Sequence, residues 1–239
     1  MEENANKQLL LDNLLDRPAN QLLSDFGAGK ASPGSGSATA LLSLLAAKMI
    51  ITVCKISLRK RECKEYHNQF EYITNEVETK YFSNLQELFE KDAKEFAEIV
   101  ELRKARNTAT DKNEKSNLSR EALEKLENAT DYIFEVAEIS FQLVEYGIAM
   151  YKYGWEHIRG DSGVAISSAL SAIMSAIFII NLNIKTLQRR NYANDAMKRC
   201  KNIQNRFEEI QIEAFSCIAS ISKEALESLE LSFGDMEKS

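Results

Sequence analysis

The chain has few of the residues that make turns. It has two prolines and nine glycines in 239 residues, and the long stretch from Ala38 to Tyr146 contains neither. A turn-rich β fold needs both at short intervals, so this scarcity excludes one and leaves an all-α reading. Metal ligands are equally sparse. His67 and His157 lie far apart, and Cys54, Cys63, Cys200 and Cys217 form no CxxC pair, so neither an HExxH site nor a Cys/His cluster can be assembled, and no metal is expected. A cationic excess is also missing. The formal charge is −6 with Lys and Arg spread along the length, which argues against nucleic acid as the main partner. The opening Met-Glu-Glu-Asn-Ala-Asn is polar and unlike a secretory signal, so the expectation is reduced thiols in a cytoplasmic protein.

Two helix-length apolar runs stand out against this background. Ser32-Pro33-Gly34-Ser35-Gly36-Ser37 leads into Ala38–Leu58, interrupted only by Lys48 and Lys55, and Gly160-Asp161-Ser162-Gly163 leads into Val164–Ile184 with no charge at all. The second run is long enough to span a bilayer. However, its load of Ser167, Ser168, Ser171, Ser175, Asn181 and Asn183, and Lys48 in the first run, favour buried helices of a soluble oligomer over stable membrane insertion.

The chain reads as one helical domain over 1–239. An amphipathic helix is expected over about Ala5–Asp16, with the N-terminal helical segment reaching residue 26, and a Gly/Ser loop over 27–37 in which Ser37 caps the helix from Ala38. A long-helix bundle follows over 38–232, then a frayed tail over 233–239. Within the bundle, Phe70, Ile73, Val77, Tyr81, Leu85 and Leu88 recur at spacings of three and four. Thr108–Asn117 reads as a polar linker before a helix from Ser119 to about Tyr153, and Gly154–Gly160 as a loop. Asp161 or Ser162 is the expected cap of the next helix, whose Ala165, Ala169, Ala172 and Ala176 permit close approach of a neighbour.

Asp92 occupies a position in the apolar stripe where a leucine is expected, ahead of Phe96 and Ile99. It is either on a face turning toward solvent beside Lys91 and Lys94, or a partly buried acid or base. Gly34, Gly36 and Ser37 offer backbone donors at a helix start, suited to a carboxylate or phosphate, or simply form a tight turn. Asn181 and Asn183 could orient a ligand or face a partner helix. Lys30, with Lys185, Arg189 and Arg190, could steer an anion or be solvated charge.

The order of these elements resembles the formiminotransferase-cyclodeaminase C-terminal domain and the methenyltetrahydrofolate cyclohydrolases. In that family a Pro-Gly-Gly-Gly-Ser turn opens an Ala/Leu-rich helix, as Pro33-Gly34-Ser35-Gly36-Ser37-Ala38 does here. An Asp followed four residues later by an aromatic comes next, as in Asp92 and Phe96, and a Ser-Asp-x-Gly-Val-Ala element opens an apolar helix ending in Asn-Val-x-Ile, as in Gly160–Ala165 and Asn181–Ile184. The family's Leu-Pro-Lys falls on Ala105-Arg106-Asn107, without the proline, and its Gly-Asn is not evident at Gly154–His157. The resemblance implies an up-and-down bundle, a homodimer formed through the Ala38 and Val164 helices, and a tetrahydrofolate one-carbon derivative as substrate with no further cofactor. It assigns Asp92 as the proton-transfer group and Asp161 as charge stabiliser or as organiser of its turn. Gly34, Gly36, Ser37, Asn181 and Lys30 become substrate-binding residues. The alternative is an inactive helical interaction protein with the same framework.

Overall fold

The computed structural model describes residues 13–236, with side chains to Leu229; among them every regular element is helical. Most of the helix expected over Ala5–Asp16 lies outside the described residues, and its described end is a single 3₁₀ turn at Leu14–Asp16. α1 (Ala19–Phe26) follows Pro18 and anchors the N-terminal segment by burying Leu22, while Phe26 meets Phe89 edge-on at 6.4 Å.

α2 (Ser35–Ser57) is apolar around its circumference, and a helix of that kind has to be enclosed. Ala40, Ala46, Ala47, Ile50, Val53 and Cys54 are all fully buried. The helix begins at Ser35, capped by Gly34 in extended backbone, so Ser37 is not the N-cap that the sequence suggested but a first-turn residue. Its hydroxyl is thereby free to point sideways into the bundle.

The expected stripe forms one long rod. α3 (His67–Glu76), a π-helical stretch (Val77–Phe82) and α4 (Ser83–Thr108) run on with right-handed helical backbone at both junctions. Phe70, Ile73, Val77, Leu85, Leu88 and Ile99 are buried along it, and so is Asp92. The connection that follows is shorter than the polar composition implied. α5 (Lys112–Tyr153) starts directly after Asp111, whose carboxylate accepts from the Glu114 backbone N–H at 2.8 Å. α6 (Arg159–Thr186) starts before Asp161 with Ile158 at its N-cap, so neither Asp161 nor Ser162 caps it. α7 (Tyr192–Met236) continues through part of the stretch expected to fray.

α2 forms the centre, packed against α4, α5 and α6. It runs parallel to α5, with Ser43 Oγ 2.7 Å from Ser140 Oγ and, at the far end, Ser57 Oγ accepting from Trp155 N–H at 2.9 Å. At Gly154 a side chain is excluded, because a Cβ would lie 2.5 Å from the Met150 carbonyl oxygen. α6 returns antiparallel to α5, with Asn183 Nδ2 donating to Thr130 Oγ1 at 3.0 Å at the other end. Ion pairs strap α7 to α5: Arg199 to Asp131 at 2.6 Å and Arg206 to Glu138 at 2.7 Å.

Candidate functional site

α2 and α4 cross where two sequence features meet. Asp92 is 7% exposed. Its Oδ2 accepts a hydrogen bond from Ser37 Oγ at 2.8 Å, and the Ser37 backbone N–H donates to the same carboxyl. The acid therefore caps the start of α2 from a neighbouring helix, meeting an otherwise unpaired first-turn N–H and the positive end of the helix dipole. Gly36 makes this approach possible. A Cβ there would stand 2.1 Å from Asp92 Oδ1 and 2.4 Å from Cγ, so no side chain fits between helix and carboxyl. Ser32 Oγ fixes the preceding loop by donating to the Ala93 carbonyl at 2.6 Å.

Burial holds the Asp92 carboxyl above the ordinary carboxylate range, against the opposing pull of the Ser37 hydroxyl and backbone N–H. A carboxyl pushed toward its protonated form yet offered donors for its anion suits giving and retaking a proton. Next to it the polar surroundings continue. Asn128 Nδ2 reaches Glu95 Oε1 at 3.4 Å, and Lys125 Nζ lies 3.7 Å from Glu95 and 2.6 Å from Glu98. The Thr130–Asn183 pair is at the same end of the bundle. Glu95, Lys125, Asn128 and Thr130 have no place in the sequence motifs. Glu95, Lys125 and Asn128 project from polar helix faces, whereas Thr130 is fully buried on the inner side of α5, and in each case only the packing defines the neighbours.

The other expected site residues fall elsewhere. Asp161 is in the first turn of α6, near the Trp155–Ser57 contact at the far end of α2, and so about 30 Å from Asp92 at 1.5 Å of helix rise per residue. Within one chain, then, the two acids do not share a hollow. Asn181 is at the Asp92 end of α6, but its amide faces α7, donating to the Ile177 carbonyl at 2.8 Å and to Cys200 Sγ at 3.4 Å. The asparagine on the inner side is Asn183. Gly34 caps α2 and approaches the Ala31 carbonyl, where a Cβ would lie 2.9 Å away. Lys30 is exposed on the loop before it, where its charge acts on Asp25, the partner of Arg17.

A groove of about 450 Å³ lies between the Asn13–Asp16 turn and α4 residues such as Glu90 and Lys94, and another of about 350 Å³ between Asp131 and Arg199. Neither is lined by Asp92, Ser37 or Asp161. Among the described residues no group of three or more His, Cys, Asp or Glu could hold a metal ion.

The comparisons with known proteins agree with one another. The family model for formiminotransferase-cyclodeaminase matches residues 18–202. The methenyltetrahydrofolate cyclohydrolase of Methylorubrum extorquens is 23% identical over 189 residues, covering 77% of this chain and 89% of that relative. The crystal structure of formiminotetrahydrofolate cyclodeaminase from Thermotoga maritima superposes with a TM-score of 0.74 at 14% identity, over 87% of this chain and 99% of that one. The match runs from before the Gly/Ser turn to the first quarter of α7 and takes in both acids and the central helices. The chain belongs to the formiminotransferase-cyclodeaminase family.

Proposed function

We propose that the protein is a cytoplasmic enzyme acting on one-carbon tetrahydrofolate derivatives, either adding water to the bridging carbon of methenyltetrahydrofolate or closing the same ring from the formimino compound with loss of ammonia. The observation that carries this reading is the buried Asp92 carboxyl against Gly36 and Ser37. Either reaction needs a group that moves protons next to a cationic amidine-like carbon. A carboxyl poised by burial and held by a helix N-terminus supplies it. Asp92 serves as the proton-transfer group, with Ser37 and Gly36 setting its position.

The second acid enters through a homodimer. α6 exposes an uncharged stripe of Val164, Met174 and Phe178 through to Leu182, with Phe178 67% exposed, and Leu45 is also exposed on α2. An apolar surface of this kind favours association. If two α6 helices pair antiparallel about their midpoints, the partner's Asp161 comes level with Asn183 and Ile184, the Asp92 end of the bundle. One site then draws Asp92 from one chain and Asp161 from the other.

The test is absorbance. Purified protein should bleach methenyltetrahydrofolate faster than buffer, and Asp92→Asn should remove the excess. A second reading, an inactive interaction protein, is favoured by the unbroken helix through Ala105-Arg106-Asn107, where the family's Leu-Pro-Lys would stand. A bleaching rate equal to buffer, together with no ammonia release from the formimino compound, would select it.

A further inference from the structure

Among the described residues, four buried side-chain polar atoms have no hydrogen-bond partner, and three of them gather at one corner: the Tyr151 hydroxyl, Arg159 Nε and the Ser162 hydroxyl. The packing of α6 on α5 brings them together. Gly147 faces Ile166, where a Cβ would stand 2.8 Å from Ile166 Cγ1, so in this antiparallel pair Tyr151 comes level with Ser162 one turn further on. Arg159 lies three residues before Ser162 on the same side of α6, and its guanidinium carbon is 5.2 Å from the centre of the Tyr151 ring. Ser162 is fully buried and Tyr151 is only 8% exposed. The corner is therefore built by the core and not by loose surface groups.

All three atoms are donors. The Nε–H of an arginine can only donate, and both hydroxyls are able to. α6 adds a further source, because no side chain caps it and its first-turn N–H groups carry the positive end of the helix dipole. Buried donors are costly to leave unpaired, so the arrangement calls for a group that is negatively charged and accepts several hydrogen bonds. The chain itself shows which group fits. Glu224 Oε2 of α7 accepts from Arg159 Nη1 at 2.8 Å, while its Oε1 accepts from Ser220 Oγ at 3.2 Å. This carboxylate takes one bond from a fork that can give two, and its side chain is 47% exposed, on the stretch of α7 beyond the last buried residue, Cys217. A single-contact pair with that exposure is weak and readily exchanged. Asp161 does not oppose an anion here: two positions from Arg159, it points about 160° away around the helix.

We propose that Arg159, with the Ser162 and Tyr151 hydroxyls and the uncapped first turn of α6, is a seat for a ligand carboxylate, and that Glu224 is an internal placeholder which the ligand displaces. Exchanging one carboxylate for another leaves the charge of the corner unchanged, whereas a phosphate monoester would add to it. The incoming group takes the Nε edge that Glu224 leaves unused together with the buried hydroxyls, and this larger set of bonds lets it win. Glu224 lies beyond residue 202, where the family match ends, so the placeholder is a feature of this chain's C-terminal helix outside the matched region. The carboxylate comes either from the glutamate tail of a tetrahydrofolate, in which case the seat serves the substrate proposed above and to that extent rests on that reading, or from a free dicarboxylate.

The test is isothermal titration of the full chain, with circular dichroism to verify the folding of each variant. The probes are p-aminobenzoylglutamate, which carries the tail, and glutarate, a free dicarboxylate, with chloride at equal ionic strength as control. Glu224→Ala removes the competitor and should tighten carboxylate binding by about 3–10-fold over wild type. Arg159→Lys, which keeps the charge and loses the fork, and Ser162→Ala should each weaken it by about tenfold, as expected for one lost hydrogen bond to a charged group. Preference for p-aminobenzoylglutamate identifies the substrate's tail as the source, and equal binding of the two probes identifies a free carboxylate. If neither probe binds Glu224→Ala above the chloride control, or if Arg159→Lys leaves the affinity unchanged, there is no seat. Equal or weaker binding by Glu224→Ala than by wild type overturns the displacement. The bleaching assay stays separate: carboxylate binding without turnover ends the folate chemistry and leaves the seat standing, and turnover without carboxylate binding at Arg159 ends the seat alone.

Discussion

Gly36→Ala offers the sharpest test of the α2–α4 contact. Helix propensity alone predicts a gain, since alanine is preferred to glycine by about 0.8–1.0 kcal/mol in a helix interior and by less in a first turn. The tertiary contact opposes this. The new Cβ would sit 2.1 Å from Asp92 Oδ1 and 2.6 Å from Oδ2. Two routes relieve the overlap. Either α2 and α4 move apart, an overpacking cost of about 1–3 kcal/mol, or the carboxyl swings away and loses its Ser37 bonds, at about 1.5–3 kcal/mol for a hydrogen bond to a charged group. After the propensity gain, a net loss of about 1–2 kcal/mol remains, a fall in melting temperature of roughly 2–8 °C for a chain of this size. Gly160→Ala is the control. It occupies the same second position of its helix, but its Cβ would meet nothing within 4 Å. Thermal unfolding followed by circular dichroism should show Gly160→Ala melting at or above wild type and Gly36→Ala below it, with turnover lost only in the latter. Equal melting temperatures and equal turnover would refute the close approach and the role built on it.

Three further outcomes follow from the same geometry. Asp92→Asn should lower turnover by about 10²–10⁴-fold, the range for a positioned proton-transfer group. It should also change how stability responds to pH: burial raises the folded-state pKa of Asp92, so its stabilising contribution is full below the ordinary carboxylate range and is lost as pH climbs through the raised value. Urea midpoints measured from about pH 4 to 8 should therefore fall more steeply for wild type than for the variant, and parallel curves would count against the buried acid. Mixing Asp92→Asn with Asp161→Asn protein, each inactive alone, should restore about a quarter of wild-type activity if each site takes one acid from each chain of a two-fold dimer; no recovery after verified subunit exchange would show that the acids do not share a site. The Cys54 thiol, buried and pushed up to about 12, should resist iodoacetamide in the native protein at about pH 8 and react once urea exposes it, so rapid native labelling would contradict the packing of α2.

The helical architecture was legible in the sequence because its causes are local. The near-absence of proline and glycine, the three-and-four spacing from Phe70 to Leu88 and the two apolar runs each state a helix and the face it must bury. Helix ends were less legible. Ser37 and Asp161 are both good capping residues, yet α2 starts at Ser35 and α6 at Arg159, because side-chain preference for a cap says nothing about which backbone turn the neighbouring helices enforce. Asp92 could be singled out as an acid in an apolar stripe, but a stripe alone left it either solvated or buried. The close approach of α4 to Gly36 decided between them, and that depends on two segments more than fifty residues apart being packed together. The same dependence explains Asn181 and Asn183. Two residues apart on one helix they point about 160° apart around its axis, so one meets α7 and the other α5. Local hydrophobic patterning fixes which segments are helices and which faces turn inward. Only the three-dimensional packing fixes which polar groups meet, because a polar group's partner comes from whichever element happens to lie against it.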